Sequence, residues 1–223
     1  MSEKTHDQKM REVLLARYGN IDQLSFKHRL RFHLKRAGWA GVVGGAYLVK
    51  RVFDIVVSAI LLVLLFPFFL LVALAIWLED PGPVLFKQTR VGRWGALFTM
   101  WKFRSMFTDA EERKKALMAQ NEMAGGVIFK MKDDPRITKV GRIIRKASID
   151  ELPQLWNVFK GDMSLVGPRP ERPYFVEQFK QQYPQYMLRH KVRAGITGWA
   201  QVNGWRGNTS LEKRIEYDLY YIG

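Results

Sequence analysis

The chain has 223 residues, with 36 Lys and Arg against 21 Asp and Glu for a formal net charge of +15, and no cysteine. That length holds one domain with a sizeable core plus a membrane element and excludes two full domains beside it, while the missing cysteine excludes disulfides, zinc–thiolate sites and thiolate nucleophiles and fits a reducing compartment. The charge calls for anionic partners, whether acidic lipid headgroups, phosphorylated small molecules or nucleic acid, without choosing among them.

Residues 1–50 are polar and basic and contain no short apolar core with a small-residue cleavage site, so they are not a signal peptide. Phe26, Leu30 and Leu34 recur at i, i+4, i+8 among Lys27, Arg29, Arg31, Lys35 and Arg36, the pattern of a basic amphipathic helix. Such a helix lies either on an anionic membrane or on a protein core with its charges in water.

From Val52 to Leu78 the only charged residue is Asp54, and the run is long enough to span a bilayer. Pro67 divides it: proline cannot donate to the Val63 carbonyl and its ring opens that turn. Each arm then reaches only about 16–23 Å, short of a hydrocarbon core of about 30 Å. Lys and Arg are abundant on both sides, so the positive-inside rule places both flanks in the cytoplasm. A re-entrant helix-break-helix element over 51–80, broken at Pro67, satisfies both constraints; a kinked single span does not satisfy the second, and a buried helix of a soluble fold rarely contains so long a charge-poor run.

Asp80-Pro-Gly-Pro83 ends the apolar run, and Val84–Arg90 with Leu97–Phe103 around Gly92-Arg-Trp-Gly95 reads as a β-hairpin. Thr108-Asp-Ala-Glu111 is a capping-box signature opening a polar helix to about Met123, ended by Gly125-Gly126, with a turn at Asp133-Asp134-Pro135. A short helix is expected from near Asp150 to Phe159, another from Pro173 to Pro184, a Gly-rich loop with a short strand over Arg193–Gly207, and a helix from Ser210 onward. The fold class is thus α+β and mostly helical: a basic amphipathic segment (1–50), the membrane element (51–80), and a small cytosolic catalytic domain with amphipathic surface helices (81–223).

Two adjacent carboxylates, Asp150 and Glu151, stand out in so basic a chain, because a carboxylate can attack phosphorus or hold Mg²⁺ while cations neutralise phosphate oxygens. A helix N-terminus near Asp150 would favour an anion there. The competing reading is a capping box, Ser148 with Glu151, but that would put Pro153 at a helical position whose N–H is needed. Pro168-Arg169-Pro170 fixes φ on both sides of Arg169 and holds a long cation on a stiff backbone, suited to phosphate. Lys102, Arg104 and Arg145 are further candidates for phosphate contact. His6, His28, His33 and His190 show no metal-ligand spacing, and neither a P-loop nor a dinucleotide fingerprint occurs. These residues suggest phosphoryl transfer at a membrane surface. A membrane-tethered nucleic-acid-binding protein, or a scaffold on acidic lipid, is the alternative reading of the +15 charge and of the aromatic residues near Trp199 and Trp205; neither has a task for Asp150.

From Lys50 to Gly223 six motifs in order resemble the bacterial sugar transferases, the monotopic polyprenyl-phosphate phosphoglycosyl transferases: Lys50-Arg-Val-Phe-Asp54, Gly82-Pro-Val-Leu-Phe-Lys-Gln88, Trp101-Lys-Phe-Arg-Ser-Met106, Ser148-Ile-Asp-Glu-Leu-Pro-Gln-Leu-Trp-Asn157, Gly161-Asp-Met-Ser-Leu-Val-Gly-Pro-Arg-Pro170 and Gly195-Ile-Thr-Gly-Trp-Ala-Gln-Val-Asn-Gly204. The resemblance implies a re-entrant helix in one leaflet of the bacterial inner membrane and an active site at its cytoplasmic face. It implies that Asp150 attacks the β-phosphorus of a UDP-sugar and releases UMP. Polyprenyl (undecaprenyl) phosphate then takes the sugar-1-phosphate from the aspartyl intermediate, as the first membrane step of glycoconjugate or exopolysaccharide synthesis. Glu151 and Mg²⁺ assist, with Asp150 and Glu151 at the metal, and Lys102, Arg145 and Arg169 match positions that contact phosphates. The implied partners are the UDP-sugar, polyprenyl phosphate and anionic lipids; no nucleic acid is expected, and an oligomer is allowed. Three departures are visible. Relatives often carry Ser where Phe66 precedes the proline, larger relatives carry additional spans and a further domain where this sequence has the basic segment 1–50, and relatives continue beyond the position of Gly223 into an aromatic, apolar segment.

Overall fold

The structure is a computed structural model that describes residues 26–117, 134–207 and 209–222. The chain divides into two compact units, Met1–Lys50 and Arg51–Gly223. The expectations for residues 1–25, for the end of the helix near Met123, for Gly125-Gly126 and for Asp133 lie outside the described residues, as do the side chains of Phe26, Leu30 and Leu34.

Helix α1 (Phe26–Glu79) contains Pro67 and remains helical through it. The break expected at Pro67 is therefore absent as an interruption of helical structure. The physical reason is that the φ fixed by the ring is the helical value, so proline removes one hydrogen bond without forcing the chain out of the helix. The stretch Gly44–Glu79, whose most apolar 18 residues have a mean hydropathy of 3.1, is long and apolar enough to cross a membrane.

Both ends of the apolar run are bonded to the rest of the second unit, and its middle is not covered. At one end Arg51 donates to the Val158 and Phe159 carbonyls at 2.7 and 2.8 Å. One turn on, the buried Asp54 accepts from Leu165 N at 3.0 Å and from Ser164 Oγ at 3.2 Å. At the other end Glu79 accepts from Lys139 N and Val140 N, and Asp80 from Thr108 N. Between them Val63, Leu64, Phe66, Leu70 and Leu71 are exposed.

The expected hairpin is present: β1 (Leu85–Val91) and β2 (Leu97–Phe103) pair antiparallel from Leu85 opposite Phe103 to Val91 opposite Leu97. The turn uses Trp94 at φ 57 and Gly95 at φ 80. Helix α2 (Ala110–Leu117) follows. Helix α3 (Lys139–Lys146), which sequence periodicity did not single out, starts from Thr138, whose hydroxyl accepts from Gly141 N at 2.8 Å. The Glu79 carboxylate covers two more of its free N–H groups, so the end of α1 caps the start of α3.

The helix expected from Asp150 to Phe159 is two pieces, a 3-10 turn Ile149–Glu151 and helix α4 (Gln154–Lys160), with Pro153 between them at the N-cap. Strand β3 (Met163–Val166), helix α5 (Pro173–Gln182), a 3-10 segment Tyr186–Lys191 and strand β4 (Ala194–Thr197) form a crossover unit in which β3 and β4 pair in parallel. Backbones approach closely here. A Cβ at Gly195 would lie 2.1 Å from Gly167 N, and one at Gly167 would lie 2.3 Å from Arg193 O. Helices α6 (Trp199–Val202) and α7 (Leu211–Ile222) complete the chain.

Three small apolar clusters hold these pieces. Val72 and Ile76 of α1 pack with Phe103 and Ile144; Met100, Val158 and Met163 join β2, α4 and β3; Val91, Val176, Tyr186 and Ile215 join β1, α5 and α7. The first cluster matters most for the site, because it fixes β2 and α3 against the apolar helix. The turn 148–151 follows directly from α3.

Candidate active site

The acidic turn is shaped by its own backbone. Ser148, the residue after α3, sits at φ 57 in the left-handed region, where a side chain other than glycine is strained. Its hydroxyl makes no capping bond, and only its carbonyl serves the turn, accepting from Glu151 N at 3.2 Å. The capping-box reading is thereby excluded.

The two carboxylates then part company. Glu151 is buried and is held by three cations from three elements. Lys102 Nζ on β2 lies 2.9 Å from Oε1, Arg169 donates through both terminal nitrogens, one of them 3.1 Å from Oε2, and Arg206 Nη2 stands 3.7 Å from Oε2. Asp150 is half-buried, and no donor reaches its carboxylate among the described residues.

The electrostatics follow that difference. Burial would raise the Glu151 pKa, but the hydrogen bonds and charge of Arg169, with Lys102, outweigh it and bring it down to about 2. Burial pushes the Asp150 carboxyl above its ordinary value, and the Glu151 charge adds to the rise; Lys102, Arg145 and Arg169 oppose it without cancelling it. Burial also lowers the Lys102 ammonium. The result is one carboxylate that is ionised and fully occupied beside one that is more basic than usual and unoccupied by any donor among the described residues.

Lys102 is placed by Asn157. This buried side chain accepts from Trp101 N at 3.1 Å and donates to Thr99 O at 2.7 Å, locking α4 to the backbone of β2 beside Lys102. Arg169 is placed by its loop. Pro168 O accepts from Gly195 N, Arg169 O from Arg189, Pro170 O from Arg90 Nη1 at 3.0 Å, and Glu171 O from Val91 N. Arg189 is itself buried, with Nη2 2.6 Å from Asp218 of α7 and Nη1 2.9 Å from Tyr186 Oη.

Of the residues singled out from sequence, the structure brings together Asp150, Glu151, Lys102 and Arg169, with Pro168 and Pro170 as the stiff flanks of Arg169. Arg145 is exposed in the last turn of α3, acting on Asp150 through its charge. Arg104 is elsewhere: it pairs with Asp80 at 3.2 Å and donates to the Asp80 carbonyl, closing the end of α1. The reason is that Asp80 is the acid within reach of its position just past the end of β2. Sequence reasoning missed Arg206, Gln201, which accepts from Arg169 at 3.3 Å, and the Arg189–Asp218 pair. Arg206 carried a weak signal in Gly204-Trp-Arg-Gly207, a cation between glycines in an aromatic loop.

The fit to Mg²⁺ rests on the donors present. A small hard cation takes one or two carboxylates plus substrate phosphate oxygens and water, and Asp150 offers its oxygens. Glu151 would join only by giving up Lys102 or Arg169. Among the described residues no group of three or more His, Asp or Glu side chains forms a metal cage.

Residues 45–223 match the family model described as bacterial sugar transferase. The chain is 48% identical over 179 residues to the UDP-glucose:undecaprenyl-phosphate glucose-1-phosphate transferase of Escherichia coli (strain K12), covering 78% of this chain and 36% of that protein. It is 47% identical over 176 residues to the UDP-N-acetylgalactosamine-undecaprenyl-phosphate N-acetylgalactosaminephosphotransferase of Aeromonas hydrophila, covering 78% of this chain and 39% of that protein. It is 45% identical over 181 residues to an exopolysaccharide production protein of Rhizobium leguminosarum bv. phaseoli, covering 78% and 85%. The match thus spans little more than a third of the first two relatives. With the family model covering most of its length and the acidic turn, Lys102 and Arg169 inside the matched span, the chain belongs to the bacterial sugar transferase family.

Proposed function

We propose that the chain transfers a sugar-1-phosphate from a UDP-sugar to polyprenyl (undecaprenyl) phosphate, releasing UMP, through an intermediate on Asp150. The observation that carries this is the unoccupied Asp150 carboxylate, made more basic by burial and faced by Lys102, Arg145 and Arg169. An Asp150 oxygen forms a bond to the β-phosphorus while the bond from that phosphorus to the bridging oxygen breaks, and UMP leaves with the electron pair. A phosphate oxygen of the lipid then attacks the same phosphorus and expels the carboxylate. Carboxylate attack on a diphosphate meets charge repulsion; Arg169 and Lys102, fixed beforehand by Glu151, spread the developing charge over the transferred oxygens. Mg²⁺, when bound, would be held by Asp150 and substrate phosphate oxygens and would draw charge from the diphosphate.

The membrane element is read as re-entrant, entering one leaflet and returning through a bend at Pro67 that leaves the segment helical, with the catalytic domain on the cytoplasmic face. Two observations support this: both ends of 51–80 are tied to the same domain while the middle is bare, and basic residues flank the run on both sides. That geometry brings a lipid phosphate to the plane of Asp150, where a soluble nucleotide sugar can also arrive.

Relatives of nearly equal identity are named for glucose and for N-acetylgalactosamine, so the sugar is to be read from a panel of UDP-sugars. The test is UMP release by the chain in detergent with a short polyprenyl phosphate and Mg²⁺. Release with at least one UDP-sugar, together with radiolabelled sugar phosphate retained on wild type but not on Asp150→Asn, is expected. No UMP from any UDP-sugar would end the reading.

A further inference from the structure

The cations around Glu151 are not held alike. Lys102 and Arg169 come from a strand and from a braced loop, with 15% and 25% of their side chains exposed, whereas Arg206 has 48% exposed. Its guanidinium rests 3.3 and 3.4 Å from the Ser148 hydroxyl and 3.7 Å from a Glu151 oxygen that Arg169 already occupies. The backbone that carries it is firm: Trp205 N donates to Ala200 O at 2.9 Å, and Arg214 Nη2 donates to Gly207 O at 2.9 Å. Gly204 at φ 86 and Gly207 at φ 75 shape the loop, with open space where side chains would stand. A fixed backbone therefore aims a loosely held cation across the acidic turn.

Its charge is also in surplus. With Lys102, Arg145 and Arg169 it makes four cations around two carboxylates, and its resting contacts, a neutral hydroxyl and a shared carboxylate, leave that surplus uncompensated. A nucleoside diphosphate sugar carries one negative charge on each phosphate and matches it. We propose that Arg206 is a diphosphate-binding residue whose guanidinium exchanges Ser148 and Glu151 for phosphoryl oxygens of the nucleotide sugar, gripping it opposite Arg169. This rests on the transferase reading and deepens it by assigning a second arm to the same site.

The test is equilibrium binding of UDP to the full chain in detergent, with uridine as the phosphate-free comparison. Arg206→Gln is expected to weaken UDP binding about tenfold or more, consistent with loss of a charge-assisted contact, and to leave uridine binding unchanged; Arg206→Lys recovers part of the loss. Lys213→Gln removes the same charge from an exposed pair with Glu216 on α7 and is expected to bind UDP like wild type. Unchanged UDP binding by Arg206→Gln, or an equal loss in Lys213→Gln, overturns the assignment and leaves the transferase reading standing. A wild-type chain that turns over UDP-sugar yet binds UDP no better than uridine overturns the assignment alone, and one that does neither overturns both.

Discussion

In the loop Pro168–Glu171 every backbone carbonyl accepts a hydrogen bond, two from arginines 20 and 80 residues away in sequence, the first buried and the second half-buried. In the turn Ser148–Asp150, which meets that loop across Glu151, the leading residue is strained, its hydroxyl caps nothing, and the carboxylate at the end has no donor among the described residues. The two regions answer different chemical demands. A cation that must meet a phosphate without reorganising has to be fixed in advance, whereas a nucleophile keeps its lone pairs only if the protein refrains from bonding them. Glu151 belongs to the first regime although it adjoins Asp150, and it is the joint between the two.

Asp150→Asn should break the contrast most severely. UMP release is expected to fall more than about 10³-fold, as for loss of an enzyme nucleophile. Stability should not fall with it: the Asp150 pKa is raised in the folded state, so its ionised form costs stability above the ordinary carboxylate range, and the amide removes that cost. Thermal unfolding at neutral pH checks the second half, and a clear drop would mean that the carboxylate has a structural partner after all.

Glu151→Gln should be next, with activity lower by about 100-fold, because two cations lose a charge-assisted partner and their alignment. It also has a pH signature. Glu151 has its pKa depressed to about 2 in the folded state, so its contribution is complete above its unfolded value near 4.5 and is lost as pH falls from there toward 2. Acid unfolding of wild type should be steeper over that window than that of Glu151→Gln; coincident acid limbs would contradict the ion-paired assignment.

Asp218→Asn tests the bracing of the loop. Arg189 and Asp218 are each only 2% exposed, and removing one partner of such a pair costs about 3–5 kcal/mol. Because Arg189 also holds the Arg169 carbonyl at 2.9 Å, kcat/KM should fall about tenfold in protein that is still folded, an effect of about 1.4 kcal/mol. A merely structural role would give the same factor in an Arg169→Lys background; bracing through Arg169 predicts a smaller one.

Sequence reached the parts of this arrangement that are local. The hairpin register follows from apolar runs on either side of Gly92–Gly95, and α5 from Pro173 at its start. Asp150, Glu151 and Arg169 are recognisable because the two acids are adjacent in a basic chain and Pro168 and Pro170 stiffen their neighbour, whereas Lys102 is singled out only by the family motif Trp101-Lys-Phe-Arg-Ser-Met106. What stayed hidden was set by long-range partners. In a chain with 36 Lys and Arg, nothing local separates Arg104, which closes the end of α1, from Arg189 or Arg206, which serve the site. The parallel pair of β3 with β4 was hidden too, since each strand has four residues and the close approach of Gly167 and Gly195 replaces side-chain packing. Pro67 is legible as the place where one helical hydrogen bond is lost, but not that its φ lets helical structure run on through it.

The smallest expected effect lies at Ser148. A residue with a Cβ held at φ 57 carries a strain of about 1 kcal/mol that glycine does not. Ser148→Gly should therefore raise stability by up to about that amount, offset by the extra freedom glycine brings to the unfolded chain. Ser148→Ala keeps the strain and loses only the hydroxyl on which Arg206 rests, so it should leave stability unchanged within about 0.5 kcal/mol. The pair of variants separates backbone from side chain. If glycine stabilises and slows UMP release while alanine does neither, the strained backbone before Asp150 is what aims the carboxylate. If both behave alike, the left-handed geometry is not held against a cost, and the contrast between a braced loop and a strained turn reduces to the hydrogen bonds alone.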